Sequence, residues 1–367
     1  MRIGLVIYGS LDTLSGGYLY DRMLVEYLRR QGDNVEVFSL PWRDYARHLT
    51  DNLSTGLLRR LQDSRLDVLL QDELNHPSLF WLNGRLRRAY LGQQSAGCLI
   101  ISIVHHLRSN ERHPAWHKAL YRQVERRYLQ SVGGFIFNSQ TTRQAVAEMG
   151  IDLDVKPFDV VYPAGDHMHP DVREADIVRR SRQAGPLCLL FLGNLIPRKG
   201  LHTLLDALSG LPEDAWQLTV VGSPEMDKAY ARAIQQQVAR LHIGSRVDFC
   251  GRLGEAELAR QMTASHVLVV PSTYEGFGIA YLEGMGFGLP AIATTSGGAS
   301  EIITAGVDGF LLPPGDPLAL ADCLSLLMND RQRLLEMSLA ARRRYLAHPT
   351  WEDTGRSIRD FLQRLVK

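Results

Sequence analysis

Short apolar runs rich in Val, Ile and Leu alternate along this chain with longer stretches whose apolar residues recur at helical spacing. That is the pattern of parallel strands covered by helices on both faces. In the first half the runs Ile3–Tyr8, Val35–Phe38, Val68–Leu70, Leu99–Val104, Phe135–Asn138 and Val160–Tyr162 each predict a strand. In the second half Cys188–Leu192, Leu218–Val221, Val247–Cys250, Val267–Val270, Ala291–Ala293 and Phe310–Leu312 do the same. Helical patterns lie between them, such as Tyr18–Arg30, followed by Gly32 where a left-handed residue closes a helix. From about His167 to Gly185 prolines and charges replace the rhythm. The reading is two doubly wound α/β modules in tandem, residues 1–166 and 186–348. The stretch 349–367 predicts a helix that either packs on the second module or crosses back to the first.

A length of 367 residues fits two domains better than one, because a single core stops growing below that size. With 41 basic and 40 acidic side chains, no global field favours nucleic acid or an anionic membrane. Membrane contact is then at most peripheral, through a short basic run such as Arg85-Leu86-Arg87-Arg88, which reads equally as solvated helix surface. Cys98, Cys188, Cys250 and Cys323 are far apart with no CxxC pair, as expected of reduced core thiols in a cytosolic protein. Met1–Tyr8 is shorter than a signal-peptide core and passes straight into a glycine loop, so it reads as a first strand. No segment approaches the roughly 20 apolar residues of a membrane span.

Ligands of open parallel sheets bind at the carboxyl ends of strands, where loops and helix N-termini expose backbone N–H groups. After the first strand, Ser15-Gly16-Gly17 leads into a helix, where paired glycines allow close approach of an anion such as a diphosphate or simply turn the chain. No GxGxxG follows that strand and no GxxxxGK[ST] occurs, so dinucleotide and P-loop sites are excluded. After the first strand of the second module come Arg198 and Lys199, able to neutralise phosphate charge by a planar fork and a point charge. After Val267–Val270 comes Glu275-Gly276-Phe277-Gly278 at a helix start, with Glu283 one to two turns on. Those carboxylates either bond hydroxyls of one elongated ligand or serve as a helix cap and a surface acid. A second glycine pair, Gly297-Gly298, precedes Glu301 after the next strand.

These residues, with Phe137-Asn138-Ser139, Val161-Tyr162-Pro163, Gly288-Leu289-Pro290 and Glu301-Ile302-Ile303, resemble the ordered motifs of the retaining glycosyltransferases of family 4. The resemblance implies the GT-B architecture, two Rossmann-like doubly wound domains facing across a cleft. It implies that Arg198 and Lys199 hold the diphosphate of a nucleotide-sugar donor, and that Glu275 with the backbone of Gly276, Phe277 and Gly278 holds the sugar. Glu283 would bond the ribose, and Gly16 and Gly17 would approach the diphosphate. The family's histidine near the reacting sugar falls on His105, or one register step on, on His106. Two departures stand out: Pro163-Ala164-Gly165 where Pro-Asn-Gly is common, and Glu283-Gly284-Met285-Gly286 where alanine is common, each glycine costing a helix roughly 1 kcal/mol.

The resemblance implies a reaction that moves a sugar from a nucleotide diphosphate to an acceptor hydroxyl with retention; cationic side chains and helix ends can stabilise the leaving charge, so no metal or other cofactor is expected. Asp152-Leu-Asp154 precedes a strand rather than following one, and His113 and His117 lack the Glu of HExxH, so neither predicts a metal site. The polar run Gln71–His76, with Asp72 and Glu73, is a candidate acceptor surface, or a solvated loop with helix capping. A sugar-nucleotide epimerase of the same shape and a noncatalytic sugar-nucleotide-binding protein are the competing readings. The sugar, the base and the acceptor, whether saccharide, lipid-linked or a small molecule, are not legible.

Overall fold

The structure is a computed structural model that describes residues 1–91, 97–111 and 113–366. Every apolar run named above lies in or against a strand. The chain divides into two units, Met1–Pro163 together with the segment from Pro349 onward, and Ala164–His348. In the first unit the strands are β1 (Arg2–Tyr8), β2 (Asn34–Leu40), β3 (Val68–Asp72), β4 (Leu99–Val104), β5 (Gly134–Phe137) and β6 (Phe158–Val160). They form one parallel sheet in the order β2-β1-β3-β4-β5-β6, with Leu5 level with Leu70 and Val104 level with Phe137. In the second unit β7 (Leu187–Leu192), β8 (Trp216–Val221), β9 (Val247–Gly251), β10 (Val267–Val269), β11 (Ala291–Thr294) and β12 (Gly309–Leu312) form a second parallel sheet in the order β12-β11-β10-β7-β8-β9.

The central strands are buried on both faces, which is why they appear as unbroken apolar runs rather than alternating ones. Ile3, Leu5, Val6 and Ile7 are fully buried in β1, each stabilising the sheet by roughly 1.5–3 kcal/mol. The helix Gly16–Arg30 ends as expected: Gly32 sits at φ +80 and donates to Arg29 O at 3.0 Å, while Asp33 donates to Leu28 O at 3.0 Å. Two strand bounds differ from the expectation. β3 runs on through Gln71 and Asp72, pairing them with β4. β6 starts earlier, at Phe158; Val161 still donates to Phe137 O at 2.8 Å before Pro163, which has no N–H, stops the pairing.

The helix Trp351–Val366 lies with the first unit, against the helix Gly16–Arg30. Arg359 Nε donates to Asp33 at 2.7 Å, Thr354 Oγ1 donates to Tyr162 O at 2.8 Å, and Trp351 meets the Tyr20 ring edge-on at 5.8 Å. Lys367 lies outside the described residues. No helix among the described residues is long and apolar enough to cross a membrane, and the four cysteines are unpaired.

Candidate functional site

In the second sheet the chain moves outward from β7 to β9 and then returns to lay β10 on the other side of β7. β7 and β10 therefore flank the reversal of strand order, the place where open α/β sheets bind ligands beyond their carboxyl ends. The residues expected from sequence stand there. A 3-10 turn, Pro197–Lys199, follows β7 and carries Arg198 and Lys199, while the loop after β10 carries Glu275. Lys199 Nζ donates to Glu275 Oε1 at 2.6 Å, and an Arg198 guanidinium N–H donates to Glu275 Oε2 at 3.2 Å and to Tyr274 O at 2.8 Å. Ser272 Oγ also donates to Glu275 Oε1, at 2.6 Å. The backbones are tied as well, Thr273 N–H donating to Arg198 O at 2.8 Å.

Glu275 is nearly buried, and burial by itself would raise its pKa. Lys199 and then Arg198 outweigh that, and with the bonds from Lys199 and Ser272 they bring the carboxyl down to about 2. Glu275 does not cap the following helix. Ile279–Gly286 starts after Gly278, at φ +104, and the Glu275 carboxylate turns to the two cations instead. Of the about four acceptor positions of a carboxylate, Lys199, Ser272 and Arg198 take three among the described residues.

The second glycine pair is explained by this loop. Gly297, at φ +94, forms a β-bridge with Glu275, and a Cβ there would stand 1.9 Å from Glu275 O. A Cβ on Gly298 would stand 2.4 Å from Gly276 O. Only glycine lets the two loops pack this closely. The Phe277 ring is buried, so the backbone of Gly276, Phe277 and Gly278 is what the helix start presents. Glu283, one turn into that helix, faces His167 Nε2 at 3.3 Å. Burial raises the Glu283 pKa, and His167 and Lys199 act to lower it. It is therefore not a surface acid.

In the first sheet the reversal lies between β1 and β3. The loop after β1 leads to Ser15, whose hydroxyl caps the helix Gly16–Arg30 by accepting from Tyr18 N–H at 3.4 Å. Gly17 packs on the His105 ring: a methyl there would stand 3.1 Å from Cδ2. His105, just beyond β4, takes this place, and its Nε2 meets Asp21 Oδ1 at 3.2 Å. His106 turns the other way, to Glu111 Oε1 at 3.0 Å. The two histidines, alternatives in the sequence, thus have different surroundings.

The run Gln71–His76 is not the solvated loop that its polarity allowed as one of two readings. Gln71, Asp72, Glu73, Asn75 and His76 are buried, because β3 carries its polar end between β1 and β4. Asp72 accepts from Leu74 N–H at 2.9 Å, and Glu73 accepts from the backbone N–H of His105 at 2.8 Å and of His106 at 3.4 Å. Burial first, and then neighbouring carboxylates, raise both Asp72 and Glu73 above the usual range, while His105 pulls them back. Burial lowers His76 to about 3.

Residues 172–344 match the family of glycosyl transferases group 1. The matched group 1 segment contains Arg198, Lys199, Glu275, Glu283 and the Gly297 pair. The chain is 29% identical over 230 residues to the D-rhamnosyltransferase WbpZ of Pseudomonas aeruginosa, covering 62% of this chain and 58% of that one. It is 26% identical over 374 residues to the phosphatidyl-myo-inositol mannosyltransferase of Mycobacterium leprae, covering 94% and 93%. The chain thus spans less than two thirds of the length of WbpZ. Among solved structures, sucrose-phosphate synthase from Thermosynechococcus elongatus superposes with a TM-score of 0.81 at 23% identity, covering 99% of this chain and 98% of that one. Anabaena HepE in complex with UDP and glucose gives 0.76 at 20% identity, covering 99% of each chain. The fold is that of these GT-B structures.

Three residues of the two sites have no motif of their own in the sequence: Ser272, His167 and Asp21. Asp21 had the clearest signal, a carboxylate on the face of its helix that also carries the buried Leu24, Val25 and Leu28. Among the described residues, Asp21, Asp72 and His105 are grouped closely enough to suit a metal, their donor atoms within 4.8 Å of one another. Within this group His105 Nε2 meets Asp21 Oδ1 at 3.2 Å. Asp152 accepts from Asp154 N–H at 3.0 Å in an exposed turn, and His117 stacks on Tyr121.

Proposed function

We propose that this chain is a metal-independent, retaining glycosyltransferase that moves a sugar from a nucleotide diphosphate sugar to an acceptor hydroxyl. The observation that carries the reading is the bonded group of half-buried Arg198 and Lys199 with the nearly buried Glu275 at the strand reversal of the second sheet. Two cations against one carboxylate leave one net positive charge, aligned before any ligand arrives. A diphosphate placed there would be met by a guanidinium fork, an ammonium and the helix start at Gly278. Glu283, on the same helix, would accept from ribose hydroxyls, and the remaining acceptor position of Glu275 would take a sugar hydroxyl. The named relatives transfer rhamnose or mannose, and HepE was seen with UDP and glucose, which supports a nucleotide-sugar donor.

In the reaction the bond between the anomeric carbon and the phosphate oxygen breaks as the acceptor oxygen bonds that carbon from the same face. The acceptor proton passes to the departing phosphate. Arg198 and Lys199 stabilise the charge that builds there, the role a metal fills in other transferases. Cytoplasmic location and at most peripheral membrane contact belong to the same proposal.

The test is a melting screen with uridine, guanosine and adenosine diphosphate sugars, since a ligand at 100 times its Kd stabilises the folded state by about 2.7 kcal/mol. One donor class is expected to raise the melting temperature, and transfer from it should survive excess chelator and give a product of unchanged anomeric configuration by NMR. Failure of all three classes to stabilise the chain would sink the proposal; loss of transfer with chelator would remove its metal-independent part.

A further inference from the structure

In the first unit the helix Ala115–Ser131 turns apolar and cationic side chains to solvent. Trp116 is 67% exposed and Leu120 42%, on one outward stripe with Arg127. Lys118, Arg122 and Arg126 flank that stripe, all exposed and each one turn from the next. Like charges at this spacing repel along a helix, and Lys118 also stands near the helix start, where the dipole disfavours a cation. No exposed acid of the helix offsets them: its one acid, Glu125, is buried and accepts from Ser109 N–H at 3.2 Å. The adjoining helix Leu82–Leu91 repeats the arrangement. It lies beside the end of the first, where Asn83 Nδ2 donates to Ser131 Oγ at 2.9 Å and the Arg87 guanidinium donates to Ser131 O. Trp81, 58% exposed, stands just before its first residue, Arg87 and Arg88 are exposed on it, and its sequence holds no acid. The chain as a whole has 41 basic and 40 acidic side chains, so the excess of cations is local to this face.

We propose that the outer face of these two helices is a docking surface for an anionic lipid bilayer, with Trp81, Trp116 and Leu120 at headgroup level and the cations on lipid phosphates. Tryptophan suits that boundary because its ring is apolar and its N–H polar. The stems of arginine and lysine lie along the apolar layer while their charged ends reach the headgroups. Lying in the plane of the bilayer, a helix of 17 residues offers about 25 Å of such contact. An exposed row of cations without acids meets its charge complement there, and the repulsion along the helix is relieved. A single-stranded nucleic acid would use the same charges, but it follows a groove lined with stacking rings. These residues stand on the outer side of two helices, with the aliphatic Leu120 among them. The inference deepens the peripheral contact proposed above and rests on that part of the reading; it requires neither donor nor transfer.

Sedimentation of the full chain with lipid vesicles is the test. Binding is expected to vesicles of phosphatidylcholine with about 30% phosphatidylglycerol, to be absent with phosphatidylcholine alone, and to weaken with added salt. Each exposed cation contributes about fivefold near such a surface, so Arg122→Gln/Arg126→Gln/Arg127→Gln should lose roughly 100-fold in partition. Trp81→Ala/Trp116→Ala should lose about tenfold or more at unchanged charge. Should either variant not fold, Trp81→Phe/Trp116→Phe decides by fluorescence: brominated lipid in the anionic vesicles should quench the wild-type chain clearly more than the Phe protein. A wild-type chain that ignores the anionic vesicles, or binds both kinds equally, overturns the proposal. So does wild-type binding by a folded charge or tryptophan variant, equal quenching with the Phe protein, or binding of a single-stranded RNA in place of the vesicles. A chain that fails every nucleotide-sugar screen yet binds these vesicles leaves the proposal standing, and a working transferase that ignores them overturns it, so the two failures are distinguishable.

Discussion

Replacing Glu275 by Gln removes one negative charge from a nearly buried site and leaves the shape of the side chain intact. In the native protein the carboxyl lies at about 2 instead of 4.5, because Lys199 and Arg198 outweigh the burial that would raise it. At about 1.4 kcal/mol per pH unit, that difference is worth roughly 3 kcal/mol of stability at neutral pH. The sign follows from the direction: a lowered carboxyl contributes fully above its unfolded value near 4.5, and the contribution is lost as pH falls toward 2. Gln keeps a hydrogen bond to Ser272 or Lys199 but leaves the two cations without their counter-charge.

The assay is denaturant unfolding of both proteins across pH, taking the difference so that all other carboxyls cancel. The gap should be roughly 3 kcal/mol at pH 7 and shrink to roughly 1.4 kcal/mol at pH 3. In a unit of this size the neutral-pH gap corresponds to a melting temperature lower by about 6–12 °C. A gap that does not change with pH would refute the reasoning, since it would mean that Glu275 contributes through packing and not through its charge.

Gly297→Ala should lower the stability of the second unit by roughly 2 kcal/mol or more, because a left-handed residue gains a Cβ pressed on Glu275 O; an unchanged melting curve would contradict the packing described. Arg359→Ala should loosen the terminal helix from the helix Gly16–Arg30, costing about 1–2 kcal/mol, as the buried Asp33 loses a charged partner at 2.7 Å; faster proteolysis near residue 350 is the readout, and native-like protection speaks against it.

The strands were legible because β1, β7, β10 and β11 are buried on both faces and so leave uninterrupted apolar runs. Where a strand carries polar residues inward the signal fails: Gln71 and Asp72 looked like a loop and proved to be the buried end of β3. Arg198, Lys199 and Glu275 could be picked out because each follows an apolar strand within a few residues, and strand order then brings the ends of β7 and β10 together. Asp21 and His105 are separated by 84 residues, and no local pattern links them. His105 and His106, adjacent in sequence, differ in surroundings because Gly17 packs on the first and Glu111 bonds the second, which periodicity does not show. The docking of the helix Trp351–Val366 depends on Asp33 and Tyr27, far away in sequence, so periodicity shows the helix but not its destination.

Calorimetric titration of UDP, GDP and ADP into the wild-type chain and into folded Lys199→Ala and Arg198→Ala proteins tests whether Arg198 and Lys199 hold a diphosphate. One diphosphate should bind the wild type, weaken with added salt, and lose about 10- to 100-fold in affinity on either substitution, as expected for a charged hydrogen bond worth about 1.5–3 kcal/mol. Equal affinity in all three proteins would contradict the account.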